Sequence, residues 1–161
     1  MKLYHGSLEI VRTPEIRIPS RTLDYGKGFY TTTSFEQADA WTRRRMKEER
    51  SQKGWINIYE YNLQEAKALN SIFFSEPTEE WLDFVMHNRI EKDFHHTYDI
   101  VSGPVANDRV YAAFALYEGD ILNKQELIAE LKTYKLVDQY LFHSEAALKT
   151  LTFVEEKEVS I

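Results

Sequence analysis

Apolar and polar positions alternate along several short segments of the chain, and this alternation predicts β-strands. The clearest run is 55–61, where polar residues recur between aromatic and β-branched ones. Shorter runs of the same kind predict strands at 2–5, 28–32, 69–74, 98–101, 139–142 and 151–159. The segment 6–27 carries two prolines and is predicted to be a long extended connection.

Apolar residues recur at intervals of three and four between these strands, and this period predicts helices. Ser34 followed three residues later by Gln37 is typical of a capping box, so a helix is predicted from there to about residue 52. Its predicted inner side carries Phe35, Ala38, Ala40 and Trp41. Further helices are predicted at 105–117, at 125–134 and from a first turn that includes Pro77 to about residue 90, with a single turn at 144–148.

Strands and helices interleave irregularly, without a strand–helix–strand unit that repeats along the chain. This order predicts the α+β class with mostly antiparallel strand pairing. The 161 residues contain no internal repeat, low-complexity stretch or linker, so we expect a single domain over residues 1–161.

Composition and charge exclude several classes of protein. Twenty basic against 26 acidic residues give a net charge of −6, which disfavours a whole-surface nucleic-acid binder. The run Arg43–Arg45 is interpreted as an exposed helix face with ion pairs. The absence of cysteine excludes a disulfide partner and a cysteine nucleophile. Without a membrane-length apolar run or a signal-peptide core, the sequence predicts a cytoplasmic protein with no membrane partner.

The common short motifs of nucleotide and hydrolytic sites are missing from the sequence. It has no P-loop, no Gly-x-Gly-x-x-Gly, no His-Glu-x-x-His and no Gly-x-Ser-x-Gly. His95 and His96 lie near His87 and Asp93, but no second ligand cluster completes a metal site. We therefore predict no bound metal.

Three segments carry a chemical pattern. At 5–7, a histidine at a strand end precedes a glycine, whose open backbone N–H and C=O can bond a planar amide. At 26–28 a Gly-Lys-Gly turn leads into Tyr30, and Trp41 follows eleven residues later. Gln139 lies in a strand near the C-terminus. A histidine, an aromatic platform and a polar side chain at three strand ends could hold a nucleotide across a cleft.

In this order, His-Gly-Ser at 5–7, Gly-Lys-Gly-Phe-Tyr at 26–30 and Asp-Gln-Tyr-Leu-Phe at 138–142 resemble a known signature. It is that of the ADP-ribosyltransferase superfamily, in the poly(ADP-ribose)-polymerase-like and diphtheria-toxin-like branch with its His-Tyr-Glu motif. The sequence looks closest to small uncharacterised bacterial members, some of which are thought to be toxins. The resemblance implies two packed, mostly antiparallel sheets flanked by helices, with a central NAD cleft between them.

The resemblance also implies roles for individual residues. His5 matches the histidine that binds the adenosine-side ribose, and Gly6 matches the glycine whose backbone binds the nicotinamide carboxamide. Ser7 follows them as it does in the family. Tyr30 matches the tyrosine that stacks on nicotinamide, and Trp41 matches the position of the second stacking aromatic.

The Gly-Lys-Gly turn at 26–28 and the loop that precedes this turn are expected to contact the parts of NAD⁺ outside the nicotinamide and the adenosine ribose. Lys27 and Gly28 are expected to line the cofactor site, with the lysine close to a phosphate. Arg21 is a second candidate for a phosphate contact. The competing interpretation of Lys27 is an exposed turn lysine without a ligand.

The sequence departs from the family pattern at two positions. Gln139 stands where the catalytic glutamate belongs, and Ala38 where many relatives have a serine that bonds the carboxamide. A carboxylate would stabilise an oxocarbenium-like ribose and orient its 2′-hydroxyl, whereas a glutamine orients the hydroxyl without adding charge. Asp108 and Asp24 remain alternative carboxylates, although a helix start and a turn also explain them.

The resemblance implies a mono-ADP-ribosyltransferase of the glycosyltransferase class that uses NAD⁺ as substrate. It would release nicotinamide, modify an intracellular macromolecule, and act as the toxin of a toxin–antitoxin pair with an antitoxin protein as partner. His5, Tyr30 and Gln139 would be its catalytic residues. The alternative is a non-catalytic module of the same fold that binds NAD⁺ or ADP-ribose or docks a partner, and Gln139 favours it.

Overall fold

The structure is a computed structural model that describes residues 1–17, 26–91, 95–104, 108–134, 136 and 138–161. Within these residues the chain forms seven strands and six helices. The strands are β1 Lys2–Ser7, β2 Phe29–Thr32, β3 Lys53–Tyr61, β4 Ser71–Phe73, β5 Ile100–Pro104, β6 Asp138–Phe142 and β7 Leu151–Ser160. The helices are α1 Phe35–Glu49, α2 Leu63–Ala66, α3 Glu79–Ile90, α4 Asp108–Glu118, α5 Lys124–Lys132 and α6 Glu145–Leu148.

All seven strands belong to one mixed sheet with the order β4-β5-β6-β2-β1-β3-β7. Strands β4 and β5 run parallel, and the other neighbouring pairs are antiparallel. The α+β class and the mostly antiparallel pairing are therefore confirmed. The strands do not form the two separate packed sheets that we expected, because β2 pairs with both β6 and β1 and joins them into one sheet.

The junction between β1 and β2 is the weakest point of this sheet. The two strands share one register pair, Tyr4 with Thr32, whereas β1 pairs with β3 along all of 2–7. The sheet thus consists of two halves, β4-β5-β6-β2 and β1-β3-β7, that are no longer in register beyond this pair. We call the region between residues 5–7 of β1 and residues 28–30 of β2 the gap.

The two faces of the sheet have different covers. Successive residues of a strand point to opposite faces, and in β6 Leu141 packs with helices α3, α4 and α5 while Phe142 packs with α2 and α6. Helix α1 lies on the same face as α3–α5, because Tyr4 packs on Phe35 and shares its face with Thr32. We call this the helical face, and the opposite one, where Val11 and Ile16 of the segment after β1 also pack, the loop face.

Helix α1 approaches the sheet closely because two strand positions have no side chain. A Cβ placed on Gly54 would lie 2.4 Å from Cγ2 of Thr42, and one on Gly6 would lie 2.4 Å from Oγ1 of the same threonine. A Cβ on Gly6 would also lie 2.6 Å from the carbonyl oxygen of Ala38. The hydroxyl of Thr42 donates to that carbonyl at 2.8 Å, so its polar group is satisfied inside the contact.

The predicted start of α1 is confirmed. Ser34 adopts extended backbone angles and its hydroxyl accepts a hydrogen bond from the Gln37 N–H at 3.1 Å. The helix ends at Glu49, a few residues earlier than expected, because Arg50 takes a left-handed conformation with φ 54°. Its N–H bonds the Met46 carbonyl and closes the last turn.

The predicted inner side of α1 is wrong in part. Ala38 is buried as expected, but Ala40 is exposed and Trp41 is 38% exposed. Thr42 and Met46 are buried against the sheet instead. Residue type alone favours the tryptophan for the interior, whereas the glycines beneath the helix select a small side chain at this contact.

Most other predicted elements are confirmed with shifted ends. Strand β5 continues through Gly103 and Pro104, beyond its predicted end at residue 101. Helix α3 begins at Glu79, after Pro77 rather than with it, because the Thr78 side chain caps the helix. Helix α4 is described from Asp108 onward, and residues 105–107 of its predicted start lie outside the described residues. The four-residue helix α2, capped by Asn62, was not predicted from the sequence. No helix in the described part of the chain is long and apolar enough to cross a membrane.

The contact between Thr42 and the two glycines gives a first prediction. We expect Gly54→Ala to lower the free energy of unfolding by about 1–3 kcal/mol, because the new methyl group overpacks the Thr42 contact. Adding Thr42→Ser removes the opposing methyl group and should recover part of the loss in a double-mutant cycle measured by thermal or denaturant unfolding. If the two changes in the free energy of unfolding simply add, Thr42 does not restrict this site. The control is Gly119→Ala, at an exposed position directly after α4.

Candidate functional site

The residues singled out from the sequence converge on the gap. His5 and Gly6 lie on β1 directly beyond the last pair with β2, and Tyr30 lies across from them on β2. Gln139 lies on β6 opposite Thr32, the residue that closes the gap on the β2 side. The structure therefore brings the backbones of four residues from three strands to one place in the sheet, with the His5 side chain on the loop face and those of Tyr30 and Gln139 on the helical face.

The ring of His5 takes the place of a backbone hydrogen bond. In a regular antiparallel ladder the next bonded pair after Tyr4 and Thr32 would join Gly6 to Tyr30. The carbonyl oxygen of Tyr30 lies instead 2.7 Å from Nδ1 of His5. Because a carbonyl only accepts, Nδ1 carries the proton and Nε2 keeps a free lone pair.

The surroundings of His5 keep its ring neutral and fixed. The ring stacks on Phe29 with centroids 4.3 Å apart and an interplanar angle of 30°. Burial lowers the pKa of His5 below its usual value, and the bond to the Tyr30 carbonyl offsets this only in part. Nε2 has no hydrogen-bond partner among the described residues, so it can accept a proton donor such as a ligand hydroxyl.

The backbone of Gly6 faces the gap. The N–H of Tyr61 donates to the Met1 carbonyl at 2.8 Å, and this bond sets the phase of the ladder between β1 and β3. Because bonded positions alternate along an antiparallel pair, residues 3, 5 and 7 bond to β3 and Gly6 points its N–H and C=O toward β2. Since β2 does not pair with Gly6, one donor and one acceptor stand side by side at the gap.

Trp41 provides an aromatic surface next to this glycine. A Cβ on Gly6 would lie 3.3 Å from Cδ1 of the indole, and the ring is 38% exposed. Ala38, one turn earlier on α1, is buried and offers no hydroxyl toward the gap. The exposure of Trp41, unexpected from the periodicity of α1, leaves its ring accessible to a ligand.

Tyr30 is held at both ends. Its ring is half-buried and packs against the core between the sheet and α3–α5, while its hydroxyl donates to the Gly26 carbonyl at 2.6 Å. Gly26 has φ 82°, a left-handed conformation that favours glycine, and a Cβ there would lie 2.9 Å from Oδ1 of Asn88. Tyr30 is thus partly a core residue as well as a residue of the gap.

The Gly-Lys-Gly turn is also fastened to the end of β6. Nδ1 of His143 donates to the Lys27 carbonyl at 2.7 Å, and a Cβ on Gly28 would lie 2.7 Å from that same nitrogen. The Lys27 side chain is exposed. Burial lowers the pKa of His143 to about 4, and its Nε2 is buried without a hydrogen-bond partner in the described structure.

Gln139 is half-buried on the helical face, in line with Thr32 and Gly103 of the neighbouring strands. Its side-chain amide makes no hydrogen bond to any residue that the structure describes, so it is available to a ligand. Asp138, the preceding residue, points to the loop face by the alternation of β6. Burial raises the pKa of Asp138. The carboxylate nearest in sequence is therefore on the other side of the strand.

The remaining candidates do not extend the site. Arg21 and Asp24 lie outside the described residues, as does Asp93. Asp108 is the first residue of α4. Ser7 ends β1, and its hydroxyl accepts a hydrogen bond from the Glu9 N–H at 3.2 Å. Within the described ranges no group of three histidine or acidic side chains could hold a metal ion.

These features define an α+β protein with a histidine-bridged gap in its sheet, lined by backbone amide groups, two aromatic rings and a glutamine. The chain belongs to the family described as "Protein of unknown function (DUF3990)", whose family model matches residues 1–153. No curated protein and no solved structure matches the chain.

The buried histidines make stability depend on pH. His143 has a pKa of about 4 in the folded chain against 6.5 for an ordinary histidine, so below pH 6.5 the unfolded state binds more protons. We expect the free energy of unfolding to be highest above pH 6.5 and to fall toward pH 4, by up to about 1.4 kcal/mol per pH unit for this group. His5 adds a change of the same sign. Denaturant titrations at several pH values should show that the free energy of unfolding of His143→Gln depends less on pH, with exposed His95→Gln as the control. An unchanged pH dependence in His143→Gln would contradict the role of this histidine.

Proposed function

We propose that this protein is a mono-ADP-ribosyltransferase that uses NAD⁺ to modify an intracellular macromolecule. The observation that carries the proposal is the hydrogen bond from His5 Nδ1 to the Tyr30 carbonyl, which leaves the Gly6 backbone facing an unpaired stretch of sheet. The two sheet halves, joined at one register pair, fit an ADP-ribosyltransferase-like fold with an NAD cleft at the gap. The toxin role and the antitoxin partner belong to the same proposal and rest on the resemblance alone.

The nicotinamide carboxamide matches the backbone of Gly6. Its oxygen would accept from the Gly6 N–H, and its amide would donate to the Gly6 carbonyl. This pair of bonds selects a planar primary amide, because donor and acceptor are both needed at fixed spacing. Trp41 and Tyr30 would pack on the ring, adding aromatic contact that an apolar side chain does not give.

The sugar groups match the two remaining polar side chains. The free lone pair on Nε2 of His5 would accept a ribose hydroxyl of the adenosine half. The unbonded amide of Gln139 would accept the 2′-hydroxyl of the reacting ribose through its carbonyl. Both contacts satisfy groups that are half-buried and without a partner among the described residues.

The reaction breaks the bond between ribose C1′ and the nicotinamide nitrogen. The bonding electrons leave with nicotinamide, whose ring nitrogen becomes neutral, and an acceptor nucleophile bonds C1′ and gives up its proton to solvent. Positive charge develops on the ribose in between. Gln139 can orient this ribose but cannot neutralise the charge, so we expect slow turnover.

The second candidate is a module that binds NAD⁺ or ADP-ribose without turnover. Gln139 favours it, because the gap offers the Gly6 backbone and the His5 lone pair for binding but holds no carboxylate on the helical face of β6. Incubation of the purified chain with labelled NAD⁺ and cell extract separates the two. Nicotinamide release with label on a macromolecule supports the enzyme, whereas saturable binding without release supports the module.

The lone pair of His5 gives a prediction on affinity. His5→Ala should raise the Kd for NAD⁺ about tenfold to a hundredfold, because it removes the ribose contact and the bridge to Tyr30. Calorimetric titration measures the effect, and exposed His95→Ala is the matched control. A folded His5→Ala variant with unchanged affinity would remove His5 from the site.

The missing charge at Gln139 gives a prediction on turnover. Gln139→Glu should raise NAD⁺ hydrolysis or transfer at least about tenfold, because it places a carboxylate beside the developing cation. Gln139→Ala should abolish turnover, and Asp138→Asn on the opposite face should leave it unchanged. Nicotinamide release measured by chromatography is the readout. Full activity in Gln139→Ala with loss in Asp108→Asn would transfer the role to Asp108.

A further inference from the structure

A buried asparagine on β3 organises the chain that follows the histidine. Asn57 has no exposed surface and lies directly opposite His5 in the ladder. Its Oδ1 accepts from the Val11 N–H at 2.8 Å, and its Nδ2 donates to the Glu9 carbonyl at 3.2 Å and to the His5 carbonyl at 3.3 Å. Both amide protons and the amide oxygen are therefore bonded to backbone within one short segment.

Two further contacts hold the same segment. The hydroxyl of Tyr59, also fully buried, donates to the Val11 carbonyl. The hydroxyl of Ser7 accepts from the Glu9 N–H. The chain thus turns back after β1 and lies on the loop face, although residues 8–11 form no helix or strand of their own.

This segment also places charges beside the histidine. Oε1 of Glu9 lies 2.5 Å from Nη1 of Arg17, so the two form an ion pair on the loop that follows β1. Both charges act on the His5 ring, the arginine lowering its pKa and the glutamate raising it. The ion pair therefore lies close enough to the His5 ring to act on its charge.

We propose that Asn57 is a positioning residue for the adenosine half of the nucleotide site, acting by fixing residues 9–11 beside His5. This inference rests on the proposed function, since it assigns the loop-face side of the gap to the nucleotide. Asn57 itself touches no ligand. It bonds neither Tyr30 nor Trp41, and it reaches the nicotinamide side only through the carbonyl of the His5–Gly6 peptide bond, whereas its other two bonds hold Glu9 and Val11.

This separation of the two sides gives a test that a purely structural role would not pass. In Asn57→Asp the carboxylate can still accept from Val11 but cannot donate to the carbonyls of His5 and Glu9. The Kd for ADP-ribose should rise about tenfold, and the Kd for nicotinamide alone by a clearly smaller factor, because only the bond to the His5–Gly6 peptide lies on the nicotinamide side. Hydrogen exchange should accelerate at residues 9–11.

Two further variants keep the result interpretable. Tyr59→Phe removes only the hydroxyl bond to Val11 and should shift the two affinities in the same pattern by a smaller factor. Thr150→Val, which deletes a buried hydroxyl bonded to the Ala147 carbonyl near α6, should lower the melting temperature without changing either affinity.

Each outcome decides between the two proposals. Equal loss of ADP-ribose and nicotinamide affinity in Tyr59→Phe, or no loss in a folded Asn57→Asp, would overturn the role of Asn57 and leave the proposed function standing. Failure of the unmodified chain to bind NAD⁺, ADP-ribose or nicotinamide would overturn the proposed function, and the role of Asn57 with it. In that case, faster hydrogen exchange at residues 9–11 in Asn57→Asp would show that Asn57 holds this segment in place but has no role in ligand binding.

Discussion

The bond from His5 Nδ1 to the Tyr30 carbonyl is the interaction on which the site depends. A sheet that stops pairing leaves backbone groups without partners, which costs free energy unless another group bonds them. The histidine ring bonds the carbonyl on the β2 side. This bond allows the two strands to separate at Gly6. It also fixes the tautomer of the His5 ring and leaves Nε2 with a lone pair that a ligand can bond.

Each side of the gap is anchored by its own contacts. On the β1 side, α1 rests on Gly6 and Gly54 through Thr42, which holds the strand and brings Trp41 over its backbone. On the β2 side, the Gly-Lys-Gly turn is fastened by the Tyr30 hydroxyl and by the ring of His143. The gap is therefore bounded by two separately anchored strands, which the His5 bridge and the pair of Tyr4 with Thr32 connect.

Under the proposed function, the gap would recognise its ligand mainly by hydrogen bonds and ring contacts rather than by charge. His5 is neutral because burial lowers its pKa, Gln139 carries no charge, and Asp138 points to the opposite face. Neutral groups in a half-buried site discriminate by donor and acceptor pattern, since each unmatched buried group costs free energy. They would suit the binding of the proposed dinucleotide but would give little stabilisation to a cationic transition state.

The sequence by itself determined the elements and the positions of the candidate residues, because both depend on neighbours along the chain. Alternation located the strands, Ser34 located the start of α1, and His5, Tyr30 and Gln139 appeared at strand ends. The tertiary structure decided what depends on contacts between distant residues. It joined the strands into one sheet, exposed Trp41 and buried Thr42, because the glycines beneath α1 come from two other strands. It also gave Asn57 its partners, since an asparagine within a strand pattern shows no sign of the loop that it bonds.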